Sequence, residues 1–153
     1  MQKPTTESVS RTSARRALSR AQVAKLLRDA DLRPTRQRIA LAELLFSKGD
    51  RHLAAETLYE EATKADVGVS LATVYNTLHQ FTDAGLLRAI AIDTSKTYFD
   101  TNTGDHHHFF IEADNEVIDM PDGYIRVDNL PEPPPGMEVS RVDVVVRVRK
   151  KQA

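Results

Sequence analysis

Four apolar stripes at helical spacing precede any alternating stretch, and that order limits what this chain can fold into. Ser19 and Gln22 have capping-box spacing. Val23, Leu26, Leu27 and Ala30 follow at helical period, which predicts a first helix ending near Asp31. Past Pro34, the run Thr35 to Phe46 predicts a second helix with Ile39, Ala42, Leu45 and Phe46 inward, closed by Gly49 and Asp50. A third runs from Ala54 to about Ala65 and should bury Leu58, Tyr59 and Ala62. The fourth begins with Ser70 as N-cap, carries the stripe Leu71, Val74, Leu78 and Phe81, and closes at Gly85. Leu87 to Ile92 and Thr97 to Phe99 then read as two strands joined by the polar turn 93–96. Helices followed by a short hairpin is the order of a winged helix-turn-helix; a generic small helical domain ending in a hairpin has the same pattern.

Charge divides the chain. Residues 1–40 hold ten basic side chains against three acidic ones, about +7, which leaves about −8 for the rest of a chain whose net charge is −1. A basic first part suits a polyanion partner, and an acidic remainder suits cation chemistry; a solvated basic tail is the plainer alternative. There is no cysteine, so disulfides, thiolate catalysis and Cys-ligated zinc are excluded. No run approaches the roughly 20 apolar residues of a membrane helix, and residues 1–20 lack the apolar core of a secretory signal, so a cytoplasmic protein with no membrane partner is expected.

After Asp100 the character changes. Thr101 to Asp105 reads as a hinge, His106 to Glu112 as a strand, and Val117 and Ile118 as the centre of another. From Val139 to Val148, valines alternate with Arg141, Asp143, Arg147 and Arg149, the pattern of a half-buried strand. Pro131, Pro133, Pro134 and Pro135 exclude a regular helix between them. About fifty residues with so few apolar positions make a poor core alone, so a homodimer is expected. The domains expected are a disordered arm over 1–18, a DNA-binding domain over 19–100, a hinge over 101–105 and a dimerisation and sensory domain over 106–153.

Three consecutive histidines, His106, His107 and His108, carry the metal chemistry. In a strand His106 and His108 share one face, about 6–7 Å apart at their bases, and His107 takes the other. His52, in the loop before the third helix, and Asp100, at the end of the second wing strand, are candidates to close such a site. Imidazole suits zinc, iron, nickel and copper alike, so spacing leaves the metal open, and a solvated strand edge is the bland alternative. On the fourth helix Ser70, Thr73, Tyr75, Asn76 and His79 fall away from the apolar stripe. Their hydroxyls and amide suit phosphates and base edges in a major groove, or else simply a polar solvent face. No Ser/His/Asp order, HExxH or Gly-rich phosphate loop is present, so an enzyme is not expected.

The run Ser70-Leu71-Ala72-Thr73-Val74-Tyr75-Asn76-Thr77-Leu78 with Phe81 and Asp83-Ala84-Gly85-Leu86 resembles the recognition helix of the ferric uptake regulator family. Ala55-Glu56-Thr57-Leu58-Tyr59 resembles its preceding helix, and His106-His107-His108-Phe109 its metal-binding strand, with His107 where aspartate is usual. The resemblance extends from about Ala21 to Asp119. It implies an α+β fold, with an N-terminal winged helix-turn-helix domain followed by a small C-terminal α/β dimerisation domain. It also implies a sensory metal site on His52, Asp100, His106 and His108, Asp100 standing where glutamate is usual. A second family site would use Asp105 and His107, but its histidine near the C-terminus is missing. The cysteine pairs of the family's structural zinc are absent too, with Ile111 and Asp114 at the first pair, and the Pro-rich run leaves no room for its long dimerisation helix.

Missing cysteines, a triple histidine and a Pro-rich run together resemble the iron response regulator subgroup, which binds haem and regulates iron-uptake and haem-synthesis genes. The expected function is therefore a homodimeric, sequence-specific transcription regulator that senses iron status through haem at His106, His107 and His108. Arg36 would contact phosphate, and Ser70, Thr73, Tyr75 and Asn76 would read an AT-rich palindromic operator in double-stranded DNA. The alternatives are a repressor responsive to iron, manganese or zinc, or to peroxide, with the ion on His52, Asp100, His106 and His108. More remote is a small metal-dependent hydrolase, with Glu112 as base, or a metal buffer.

Overall fold

The computed structural model describes residues 18–92 and 96–152. Residues 1–17 of the expected arm and residues 93–95 of the expected turn lie outside them. The elements run α1 (Arg20–Asp29), α2 (Arg36–Phe46), β1 (His52–Ala54), α3 (Ala55–Lys64), α4 (Leu71–Asp83), β2 (Arg88–Ala91), β3 (Thr97–Asp100), β4 (His108–Ile111), β5 (Glu116–Asp119) and β6 (Val145–Val148). Ser19 opens α1 with a complete capping box, its Oγ accepting the Gln22 amide at 3.3 Å while Gln22 Oε1 accepts the Ser19 amide at 2.8 Å. Thr35 and Ser70 cap α2 and α4 through their side-chain oxygens alone, which accept the Arg38 and Thr73 amides. Gly85 takes a φ of +79° just past α4, a conformation that closes helices cheaply only at glycine.

The four helices enclose one apolar core. Val23 and Leu27 of α1, Leu41 and Leu45 of α2, Leu58 of α3 and Leu78 and Phe81 of α4 are fully buried there, with Phe99 of β3 beneath them. Tyr59 and Leu71 were expected inside, but both stay exposed. Each lies at the margin of its helix's apolar stripe, where no element among the described residues covers it.

The sheet beside the helices has three strands in the order β1-β3-β2, all antiparallel. β1 corrects the expected loop: His52 is the first residue of a strand paired with β3, His52 opposite Asp100. Three residues are too few for an alternation to register in the sequence.

β4, β5 and β6 form a second sheet in the order β5-β4-β6, with β4 antiparallel to β5 and parallel to β6. Among the described residues this C-terminal part holds strands and loops but no helix, so the α component of the fold lies wholly in the N-terminal part. One face of the second sheet lays Phe110 and Val117 on Ile90, Ile92 and Tyr98 of the first sheet. That packing seats the C-terminal part against the wing. The opposite face carries Phe109, Ile118 and Val146 in one cross-strand row, half-buried or exposed. No helix among the described residues is long and apolar enough to cross a membrane.

Candidate metal centre

Strand ends bring five side chains together. His52 and Asp100 face each other at the start of β1 and the end of β3, and His108 and Asp119 do the same across β4 and β5. His106 stands two residues ahead of β4 on the same side as His108. One ligand atom from each of the five lies within 4.8 Å of every other. Asp100 Oδ2 is 2.7 Å from His106 Nε2, 3.1 Å from His108 Nε2 and 3.2 Å from His52 Nε2. Asp119 Oδ1 is 2.7 Å from His52 Nε2, 3.1 Å from His106 Nε2 and 3.3 Å from His108 Nε2. The first sheet supplies two donors and the C-terminal segment three.

This donor set fits a divalent cation. Metal bonds of about 2.1 Å at right angles place adjacent donors about 3 Å apart, the spacing seen for all six histidine–carboxylate pairs. Three imidazole nitrogens and two carboxylate oxygens suit iron, manganese or zinc. His106 is oriented for this role. Its Nδ1 lies 2.6 Å from the Gly104 carbonyl, which can only accept, so Nδ1 carries hydrogen and Nε2 is the nitrogen left for an ion. Asp100 is anchored by accepting the Asn102 amide on Oδ1 at 2.8 Å, which leaves Oδ2 for the cage.

The electrostatics show what the cage asks for. Burial disfavours charge on His52, but hydrogen bonds and charge from Asp100 and Asp119 outweigh it and lift its pKa to about 9. His108 is raised against burial by the same two carboxylates. Asp100, whose side chain is 1 % exposed, resists the desolvation of burial through His108 and His52 and stays well below the usual carboxylate range; Asp119 does likewise. Two carboxylates in so enclosed a place call for positive charge, as protons on imidazole or as a cation.

Of the residues expected at the sensory site, His52, Asp100, His106 and His108 all converge here. Asp119 was not anticipated. Its signal was present, since alternation through Val117 and Asp119 puts a carboxylate on the inward face of β5, where aspartate is uncommon.

His107 turns away. Its Nδ1 accepts the Val144 amide at 3.1 Å, which leaves the ring hydrogen on Nε2. The three histidines expected to bind haem together are thus split, two in the cage and one outside it. His107 borders a hollow of about 330 Å³ with Asp105, Met120 and Asp122, and this adjoins an apolar hollow of about 320 Å³ lined by Phe109, Met120, Tyr124 and Val146. Asp105, the other residue of the second family site, is almost fully exposed and stands 3.6 Å from Arg88. Among the described residues no second cluster of three metal-ligating groups forms.

Of the residues expected to meet DNA, Thr73 and Asn76 share one hollow and Arg36 lines another. Arg36 and Asn76 are exposed. Thr73 and Asn76 of α4 line a hollow of about 270 Å³ with Thr35, Gln37 and Arg38 at the start of α2. Arg38 bridges the two helices by donating to Gln80 Oε1 at 3.0 Å. Three expected hydroxyls have partners within the chain. Ser70 Oγ accepts the Thr73 amide at 3.1 Å and bonds Thr73 Oγ1 at 2.9 Å, and the Tyr75 hydroxyl donates to Glu56 at 2.6 Å. Tyr75 therefore offers a surface its ring rather than a free hydroxyl.

The profile of the "Ferric uptake regulator family" matches residues 29–133. The "Ferric uptake regulation protein" of Bordetella parapertussis is 41 % identical over 86 residues, 56 % of this chain and 61 % of that protein. The "Peroxide-responsive repressor PerR" of Staphylococcus aureus is 33 % identical over 94 residues, 61 % of this chain and 63 % of that one. These matches span less than two thirds of either relative's length. Among solved structures, a ferric uptake regulator from Pseudomonas aeruginosa with manganese superposes with a TM-score of 0.65 and 31 % identity, covering 85 % of this chain and 98 % of the other.

Proposed function

The chain belongs to the ferric uptake regulator family, a family of transcription regulators rather than enzymes, and we propose that it is a dimeric DNA-binding regulator of iron homeostasis whose operator affinity follows a divalent ion held by His52, Asp100, His106, His108 and Asp119. One observation carries this reading. The five donors come from both halves of the chain, so an ion that holds all five also holds the C-terminal sheet against the wing. The manganese in the Pseudomonas aeruginosa structure supports a first-row divalent ion.

Phosphate contact falls to Arg36 and the other basic residues of the first two helices, while Ser70, Thr73, Tyr75 and Asn76 present α4 to an AT-rich palindrome. The open row Phe109, Ile118 and Val146 supports pairing with a second copy, which gives the operator its two-fold symmetry.

Haem is the second reading, and the adjoining hollows beside His107 favour it. The three histidines as a set do not fit haem in this arrangement, because His106 and His108 turn Nε2 into the cage. His106 and His107 both border the first hollow, but His106 turns into the cage, and ligation through His107 Nε2 would reverse a tautomer that the Val144 amide now sets.

One gel-shift series with chelator, Mn²⁺, Fe²⁺, Zn²⁺ and haem tests both. The ion reading expects chelator to abolish operator binding and a divalent ion to restore it. Unchanged binding in chelator together with release by haem overturns it in favour of haem. Restoration by Fe²⁺ that peroxide then destroys would assign the peroxide-sensing role.

A further inference from the structure

Arg88 is an arginine where an apolar residue is expected. It opens β2, shares the inward side of that strand with Ile90, and stands opposite Asp100 in register, its side chain only 2 % exposed. A guanidinium so enclosed is costly unless its donors are matched.

Its partners are informative. Nη1 donates to the Gly104 carbonyl at 2.7 Å, the same oxygen that receives His106 Nδ1–H. Nη2 donates to the Asp143 carboxylate, which also accepts from Arg141 at 2.9 Å. Asp143 precedes Val144, whose amide binds His107 and whose carbonyl accepts the His108 amide at 3.1 Å. One wing side chain thereby grips the backbone before the histidine strand and the chain that runs beside it.

We propose that Arg88 is a positioning residue for the metal centre. By holding the Gly104 carbonyl, and through Asp143 the start of β6, it presets the orientation of the His106 ring, Nδ1–H on Gly104 and Nε2 toward the cage, and it ties that preset to the wing. The proposal rests on the metal reading above, and it adds a component that touches no ion. A lysine cannot replace it, because one ammonium on a flexible stem cannot span Gly104 and Asp143 in a fixed fork.

The test uses the full chain with Arg88→Lys, Arg88→Met and Asp143→Asn. Cobalt(II) titration followed by its absorption bands reads affinity and geometry, and the ¹⁵N and ¹H shifts of His106 Nδ1–H in metal-free protein read its bond to Gly104. Both Arg88 variants should weaken cobalt binding by about 10- to 100-fold, the usual cost of losing an outer-shell partner, and change the band pattern. The His106 Nδ1–H signal should shift and exchange faster with solvent. Asp143→Asn, at a half-exposed side chain, should fold normally and weaken cobalt binding several-fold.

A merely structural arginine would lower thermal stability and leave affinity, bands and the Nδ1–H signal alone in the protein that folds; that result overturns the proposal. If Arg88→Lys and Arg88→Met do not fold, unchanged cobalt affinity and Nδ1–H signal in Asp143→Asn overturn it instead. If the parent binds no cobalt, the metal reading itself fails, while the ring shifts still decide whether Arg88 presets His106.

Discussion

Asp119→Asn isolates the candidate ligand that sequence reasoning missed. The substitution keeps the shape of the side chain and removes its charge, at a position 39 % exposed, so the fold should survive. The structure gives Asp119 Oδ1 contacts with all three imidazoles, which makes it one of only two anionic donors facing the ion. Saturating Mn²⁺ at 100 times Kd stabilises the parent by about 2.7 kcal/mol through mass action. At about 2–4 °C per kcal/mol for a chain of this size, the melting temperature should rise by about 5–11 °C. A 100-fold loss of affinity puts the variant at its own Kd, where the same Mn²⁺ concentration contributes only about 0.4 kcal/mol, or about 1–2 °C. Differential scanning fluorimetry with and without chelator reads both proteins. A variant that keeps the full metal-dependent shift would show that Asp119 is no ligand, and the cage would shrink to four donors.

Protons should compete with the ion. His52 is raised to about 9, so its contribution to metal-free stability is complete below about 6.5 and disappears as pH rises through 9. Apparent Mn²⁺ affinity should therefore climb with pH up to about 9, and calorimetry in buffers of different ionisation enthalpy should show proton release on binding near neutrality. Arg36→Ala should weaken binding to every DNA sequence and flatten the salt dependence, whereas Asn76→Ala should narrow the gap between operator and random DNA; electrophoretic titrations at two salt concentrations distinguish them. Val146→Asp puts a charge into the open row with Phe109 and Ile118 and should give monomers in sedimentation with little operator affinity. An intact dimer would move the interface elsewhere.

The helical half was legible because its signals are local. Ser19, Thr35 and Ser70 cap where capping chemistry predicts, and the stripe through Val74, Leu78 and Phe81 lies in the core. The sidedness of the histidines followed from pleat alone, and His106 and His108 face one way while His107 faces the other. What could not be read depends on distant pairing. β6 lies parallel to β4 across a connection of more than thirty residues, and no periodicity in between says which edge it joins. β1 exists because β3 offers an edge, not because His52, Leu53 and Ala54 favour strand. Asp119 and Arg88 share another reason. Each is a charged residue on an inward face, which pattern reasoning treats as an interruption and the structure uses as a contact.

Those two residues indicate how an ion at this junction would act on DNA-binding geometry. The apolar contact of Ile90, Ile92 and Tyr98 with Phe110 and Val117 already seats the second sheet on the first, and Arg88, on the same side of β2 as Ile90, ties the wing to Asp143. The halves therefore need no ion to meet. What they need is relief of charge, because seating them brings Asp100 and Asp119 against the same three imidazoles. A raised His52 shows that protons can supply part of it. A divalent cation supplies both charges at once and fixes the direction of every donor, which a shared proton does not. The ion then acts less as an adhesive than as a choice among orientations that are already nearly closed. Because the donors lie at strand ends, a small rotation between the sheets is enough to separate His52 and Asp100 from the other three. The wing would carry that rotation to α4, and so to the spacing of two recognition helices across a dimer.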